Sequence, residues 1–271
     1  MRKKPGFGGF LLLLATLLFI IWGTRVPSNN RGWSPDQKVL SYGTFEGDLV
    51  TIYNIRNFTY RTPSDYDIRY YNKTFNLSQM KSVDYIVEPF SLYQGIAHTF
   101  YSFGFENGDY VSISVEIRKE KGEKFSATKG LVRWYELMYV IGDDRDLIKL
   151  RSNYRNDTVY LYPLKIPKEI IGAMFKDMVL KANDLTQTPQ FYNTITQSCS
   201  VVSFRHLNQV SALKVPLSIK LVLPGYSDRY IYDFGLIDSN LSFEDTQRAH
   251  RIDEKARRYA DDPEFSKRIR E

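Results

Sequence analysis

From Lys38 to about Arg118 apolar and polar residues alternate with a period of two and few helix formers, a pattern that predicts a succession of strands. Val50-Thr51-Ile52-Tyr53 and Asn57-Phe58-Thr59-Tyr60 are β-branched and aromatic, and Thr62-Pro63-Ser64-Asp65 supplies turn chemistry between elements. The clearest pair is Gly95 to Phe105 and Asp109 to Arg118, on either side of Glu106-Asn107-Gly108. A two-residue Asn107-Gly108 turn would set Ile113 and Val115 against Ser102 and Phe100, mixing apolar with polar. A three-residue loop with Gly108 in the left-handed position opposes Val111, Ile113 and Val115 to Phe103, Tyr101 and Thr99. The same register sets Ser112, Ser114 and Glu116 against Ser102, Phe100 and His98. Pairing is best specified where one face is buried, so the second register is expected.

Helical spacing takes over downstream. Pro167 opens a helix from Lys168 to Leu185, with Ile170, Ile171, Met174, Phe175, Met178 and Val179 on its buried side. Ser198 is a good N-cap, and Val201, Val202, Leu207 and Val210 then recur at helical spacing, so a helix starts at Cys199. Leu131 to Tyr139 reads as an amphipathic piece with Trp134, Leu137 and Met138 in the core. Leu147 to Tyr162 returns to strand-like alternation, and Leu213 to Leu223 reads as a Pro-interrupted edge strand. From Ser242 onward charged residues and Ala predominate, which predicts a solvent-facing helix or frayed tail. Asp143-Asp144-Arg145-Asp146 reads as a solvated, ion-paired turn, because an arginine sits inside it and no histidine is near.

The start of the chain has a different pattern. Arg2-Lys3-Lys4 precedes an uncharged apolar run from Phe7 to Thr24, about 18 residues, just enough to cross a hydrocarbon core of roughly 30 Å. This is either a signal peptide or a membrane anchor. No A-x-A site follows and Trp22 stands where an interfacial aromatic would anchor a span, so an uncleaved anchor is expected, with its basic end cytoplasmic. The resulting division is 1–25 for the cytoplasmic tip and anchor, 26–37 for a polar tether, 38–240 for an exported domain and 241–271 for the charged tail. The exported part is expected to be α+β, an antiparallel sheet packed with helices.

Composition narrows the partners. The 37 Lys+Arg are interleaved with 31 Asp+Glu, so a formal charge of +6 forms no basic stripe, and nucleic acid is excluded as a partner class. A weak attraction to anionic lipid headgroups fits better. No internal repeat or Gly-rich phosphate loop is present, and neither a cofactor nor a metal is implied.

The candidate chemistry centres on Cys199, the only cysteine in 271 residues. An exported structural cysteine would normally have a disulfide partner, so an unpaired one is a flag for reactivity. At the first turn of a helix the thiol feels the positive end of the dipole, which favours thiolate. His98, placed opposite Glu116 by the preferred register, is the expected base, with the carboxylate holding the ring and favouring its protonated form. His206 lies two turns beyond Cys199 and His250 in the tail.

His98-Thr99, Ser114-Val115-Glu116-Ile117-Arg118, Phe191-Tyr192-Asn193-Thr194 leading to Cys199, Asp144-Arg145-Asp146, Tyr160-Leu161-Tyr162-Pro163 and Leu223-Pro224-Gly225-Tyr226-Ser227-Asp228 together resemble the Lnb N-terminal periplasmic domain family. The resemblance runs from about Tyr42 to Asp238 and implies lipoprotein transacylase-like chemistry on a circularly permuted papain-like, NlpC/P60-like fold. Carried over by position, Cys199 would be the acyl-accepting nucleophile, His98 its base and acid, and Glu116 the group orienting His98. Arg118, Arg133 and Arg151 would be headgroup contacts. The family pattern usually has Asn before the cysteine, where this chain has Ser198. The expected function is a thiol-dependent acyltransferase or lipid ester hydrolase of the periplasmic side of the inner membrane, with the bilayer and lipoproteins or phospholipids as partners. A cysteine amidase or peptidase of the envelope and a non-catalytic envelope module are the alternatives.

Overall fold

The computed structural model describes residues 8, 9, 12, 13, 16, 19 and 23–271. The anchor expected over 7–24 lies largely outside the described residues, and among these no helix is long and apolar enough to cross a membrane.

The alternating region forms β1 (Tyr42–Glu46), β2 (Leu49–Arg56), β3 (Thr59–Thr62), β4 (Asp65–Asp67), β5 (Tyr70–Asn76), β6 (Met80–Pro89), β7 (Ala97–Phe105) and β8 (Tyr110–Arg118). With β9 (Glu136–Gly142) and β10 (Tyr160–Pro163) they make one eight-stranded sheet ordered β1-β2-β9-β8-β7-β6-β10, in which β5 pairs β2; β3 and β4 form a separate hairpin. The sheet is antiparallel except where β2 meets β9 at Arg56 and Gly142. In the central hairpin Phe100, Tyr101, Ser102 and Phe103 oppose Ser114, Ile113, Ser112 and Val111, and Gly108 takes a φ of +87°. The register expected from the three-residue loop is therefore the one formed.

The helices are α1 (Ala127–Leu131), α2 (Asp144–Lys149), α3 (Lys168–Gln187), α4 (Cys199–Val210), α5 (Ile219–Val222), α6 (Ser227–Asp233), α7 (Phe243–Ala249), α8 (Asp253–Arg258) and α9 (Phe265–Arg268). α3 and α4 cover one face of the sheet. Met174, Phe175 and Met178 and then Val201, Phe204 and Leu207 meet Tyr101, Phe103, Ile113 and Val115 in the larger core. The other face carries a smaller core in which Ile86, Phe100, Met138 and Val140 pack against Ile148, Ile252, Ala256, Phe265 and Ile269. The fold is thus α+β, with the central strands buried on both sides.

Several local expectations give way to this packing. The stretch read as a solvent-facing tail supplies the second layer, with Phe265 and Ile269 fully buried. Its apolar residues are sparse but fall on one side of successive short helices, so abundant charge on the other side masks them. The 131–139 stretch becomes a turn and β9, burying Leu137 and Met138 as expected and leaving Trp134 on the surface. Leu147 to Tyr162 holds the end of α2, a single π turn (Leu150–Tyr154) and only then β10, and Leu213 to Leu223 contains α5 in place of an edge strand. The acidic turn is not solvated. Asp146, fully buried, accepts from Arg56, the Phe58 N–H and the Tyr60 hydroxyl, and Asp144 accepts from Ser102, Ser112 and Arg270. No cluster suited to a metal ion occurs among the described residues.

The tether is strapped to the domain. Asn29 donates to the Leu185 and Thr186 carbonyls, Arg31 pairs with Glu136 at 2.9 Å, and Trp33 is buried under the Arg118 guanidinium. Arg118 itself donates to the Gln37 and Lys38 carbonyls and to the Asn29 side chain. Each of its three nitrogens therefore makes a bond to the strap or to the residue that follows it.

Candidate functional site

The stretch from Phe191 to Ser198 is held from both ends before it delivers Cys199. Tyr192 N–H donates to the Tyr135 carbonyl, Thr194 bonds the Gly130 and Ala127 carbonyls, and the Asn193 side chain accepts from the N–H groups of Ile195 and Thr196. Ser198 is extended and α4 begins at Cys199, as its sequence position predicts. The expected cap bond is absent: the Ser198 hydroxyl is buried with no partner among the described residues.

Cys199 is buried at one wall of a cleft of about 370 Å³ that His98, Glu116 and Arg151 also line. Ile96, Val115, Ile117, Phe125, Val222 and Leu223 make much of the remaining lining apolar. The cleft lies beyond the point where the β7–β8 ladder ends, at Phe100 opposite Ser114. His98 and Glu116 follow on those two strands, and α4 brings its first turn to the same end of the sheet.

His98 Nε2 lies 2.7 Å from Ser114 Oγ, and Ser114 donates in turn to Glu116 Oε1 at 2.9 Å. Glu116 Oε1 is 3.7 Å from the ring nitrogen, so Ser114 relays what had been expected as a direct contact. The relay has a chemical consequence. Because the Ser114 proton is directed to the carboxylate, its oxygen accepts from Nε2–H, and the neutral ring then carries its lone pair on Nδ1. The ring also stacks on Phe100, with centroids 5.9 Å apart.

Arg151 sits behind this relay, only 3% exposed, on the π turn. It pairs with Glu88 at 2.6 Å and Glu116 at 3.2 Å, donates to the Leu147 carbonyl and lies over the Phe100 ring. Burial alone would raise the Glu116 carboxyl, but the Arg151 charge and then His98 hold it down at about 2. His98 is lowered to about 4, first by burial and then by Arg151, against the opposing pull of Glu116 and Glu88. Of the three arginines expected at the site, Arg151 lines the cleft, Arg118 straps the tether, and Arg133 is exposed on the loop after α1, away from the lining.

The thiol is raised, chiefly by burial, although the Thr99 hydroxyl and the N–H groups of Thr99 and Ser200 oppose that effect. No hydrogen bond joins Cys199 to the imidazole among the described residues; thiol and ring share the cleft, and the ring is held by Ser114. The resting pair is therefore neutral thiol and neutral imidazole, not the ion pair expected from the helix dipole and Glu116. Desolvation of both groups, and at His98 also the positive charge of Arg151, outweigh those two favourable effects. Alkylation of Cys199 by iodoacetamide is accordingly expected to accelerate only above the ordinary thiol range, around pH 8.5. A rate already at its plateau near pH 6 would show the ion pair formed and this electrostatic picture wrong.

Ser114, Glu88 and Thr99 were not identified as site residues from the sequence. Ser114 had a visible signal, since it shares the polar face of β8 with Glu116 two positions away. Glu88 had none, because its link to Arg151 depends on the π turn. His206 belongs elsewhere: it is buried between the Tyr139 hydroxyl and Asp177, at 2.6 Å from each.

No curated protein and no solved structure gives a significant match to the chain. Residues 66–225, which run from within β4 to the turn before α6 and include His98, Glu116, Arg151 and Cys199, match the Lnb N-terminal periplasmic domain. That match covers more than half of the sequence, and the chain belongs to the Lnb N-terminal periplasmic domain family.

Proposed function

We propose that this protein is a membrane-anchored thiol acyltransferase or lipid ester hydrolase at the periplasmic face of the inner membrane, working through an acyl-thioester on Cys199. The observation that carries the reading is one cleft that combines a cysteine at a helix start, a histidine with its lone pair on Nδ1, and a largely apolar lining. Substrates in this reading are lipoproteins or phospholipids. The order of His98 and Glu116 on adjacent strands followed by Cys199 on a helix also fits a circularly permuted papain-like arrangement, which is part of the proposal.

His98 Nδ1 takes the thiol proton as sulfur attacks the ester carbonyl, and Nε2–H stays directed at Ser114. Backbone N–H groups at the start of α4 receive the oxyanion. Collapse breaks the C–O bond, the imidazolium protonates the departing alcohol, and the acyl group remains on sulfur. An amine or water then attacks the thioester, His98 taking its proton, and cleavage of the C–S bond returns the thiolate, which regains that proton. Formation of sulfur anion beside the ring raises the imidazole pKa, so the neutral resting pair becomes charged only as the attack proceeds.

The full chain in detergent, incubated with a phospholipid carrying an alkyne-tagged acyl chain, is expected to acquire a hydroxylamine-labile label. Cys199→Ala should abolish it without changing the near-UV circular dichroism, and His98→Ala should slow its formation by about 10²–10⁴-fold. Label surviving in Cys199→Ala, or peptide cleavage with lipid esters untouched, would overturn the proposal, the latter in favour of an amidase.

A further inference from the structure

We infer that the loops around the cleft mouth form a surface that docks on an anionic lipid bilayer, setting the cleft face-down on the membrane. Segments 90–95, 119–134, 193–197 and 217–226 each contribute a residue to the cleft lining, and all four also expose large apolar side chains. Leu92 is fully exposed, Tyr93 and Ile219 are more than half exposed, and Phe90 and Phe125 meet edge to face at the rim with 6.2 Å between centroids. Large apolar side chains gathered at one end of a folded domain mark a contact surface.

Two observations select a bilayer as the occupant. The same four segments carry six basic residues, of which Lys220 pairs with Asp233 at 3.6 Å, against two acidic ones, Glu120 and Glu123, which are engaged with Arg31 and with the Trp134 indole. Aromatic and aliphatic tips among cations are the composition of an interfacial membrane contact. Independently, the chain leaves its apolar 7–24 run at this rim. The Arg25 guanidinium lies 4.6 Å from the Trp134 ring centroid and the Lys129 ammonium 4.7 Å from it, so the residue next to that run is fastened to the segment bearing Phe125. The strap through Asn29, Arg31 and Trp33 keeps the exit short. A bilayer holding the apolar run would therefore lie against the rim.

The orientation is tested without any catalytic readout, so its failure is distinct from failure of the acyl-transfer reading. In a Cys199→Ser background, Leu92→Cys and Asn107→Cys are each labelled with an environment-sensitive fluorophore in the full chain, reconstituted in phosphatidylethanolamine–phosphatidylglycerol vesicles. Asn107 lies in the β7–β8 turn, at the far end of the strands, about 25–30 Å from the rim. Brominated acyl chains are expected to quench the label at 92 at least about twofold more than that at 107, and less once phosphatidylglycerol is replaced by phosphatidylcholine. Both sites are exposed, and the only side-chain bonds that the substitutions remove are those of Asn107 to Asp109 within its own turn, so near-UV circular dichroism is recorded for each variant to show that the fold is kept. Equal quenching at the two positions, or none at 92, would overturn the inference.

Discussion

Replacing Arg151 with methionine will lower the free energy of unfolding by about 3–5 kcal/mol, the cost of stranding a buried charge. Glu88 is fully buried and its closest cationic partner is Arg151 at 2.6 Å; the other, Arg155, is half exposed and 3.3 Å away. Glu116 loses a partner at the same time. Methionine preserves most of the contact with Phe100, so the loss reports charge rather than volume. Adding Glu88→Gln should recover part of it, and urea midpoints for the two single variants and the double variant will measure the coupling. A change under about 1 kcal/mol, the range of exposed pairs, would show that water reaches this network.

The acid limb of stability should change with it. Glu116, held at about 2, contributes stability that is fully present above its ordinary value of 4.5 and is lost as pH falls toward 2. His98, lowered to about 4, contributes in the same sense, fully present above 6.5 and lost as pH falls through 4. The wild-type protein should therefore begin to lose stability below about pH 6.5 and lose it more steeply below about 4.5. In Arg151→Met the steeper component should shrink, because the carboxylate is no longer held down by the guanidinium. Thermal midpoints recorded between pH 7 and pH 3 will show whether the two components separate in this way.

Removing residues 262–271 will leave a chain that does not fold. The deleted segment holds Phe265 and Ile269, both fully buried, and truncating residues of this kind individually costs about 3–5 and 2–5 kcal/mol. It also holds Arg270, whose guanidinium pairs with Asp84 at 2.7 Å and Asp144 at 3.0 Å. Two stranded buried carboxylates add several kcal/mol, and the sum is comparable to the whole stability of a domain, about 5–15 kcal/mol. Near-UV circular dichroism and limited proteolysis will report the loss. Arg270→Met, which keeps the apolar residues, should give a folded but weakened protein. If the shortened chain kept its near-UV spectrum and protease resistance, the C-terminal segment would be the frayed tail that its composition suggests.

The hairpin shows how much of the site could be read in advance. Only one register of β7 on β8 buries a consistent apolar face, and that constraint alone puts His98 and Glu116 near one another. The start of α4 was equally local: the helical spacing after Ser198 places Cys199 at the first turn, although the capping bond expected of the Ser198 hydroxyl is not made. What escaped was of another kind. Arg118, Arg133 and Arg151 are indistinguishable as isolated arginines, yet one straps the tether, one lies on an exposed loop and one holds the Glu88–Glu116 pair. Asp144 and Asp146 read as solvated because their partners, Arg270 and Arg56, are far away in the chain.

By itself the sequence determined the succession of strands between Lys38 and Arg118, though not β9, together with the long α3, the hairpin register and the helix start at Cys199. Each follows from side-chain periodicity or turn chemistry within a dozen residues or so. Only the tertiary structure decided that the charged C-terminal segment covers the second face, that Ser114 relays His98 to Glu116, and that thiol and imidazole rest uncharged. Those outcomes depend on burial and on ion pairs between residues distant in sequence, and desolvation is a property of the packed assembly that no local pattern encodes.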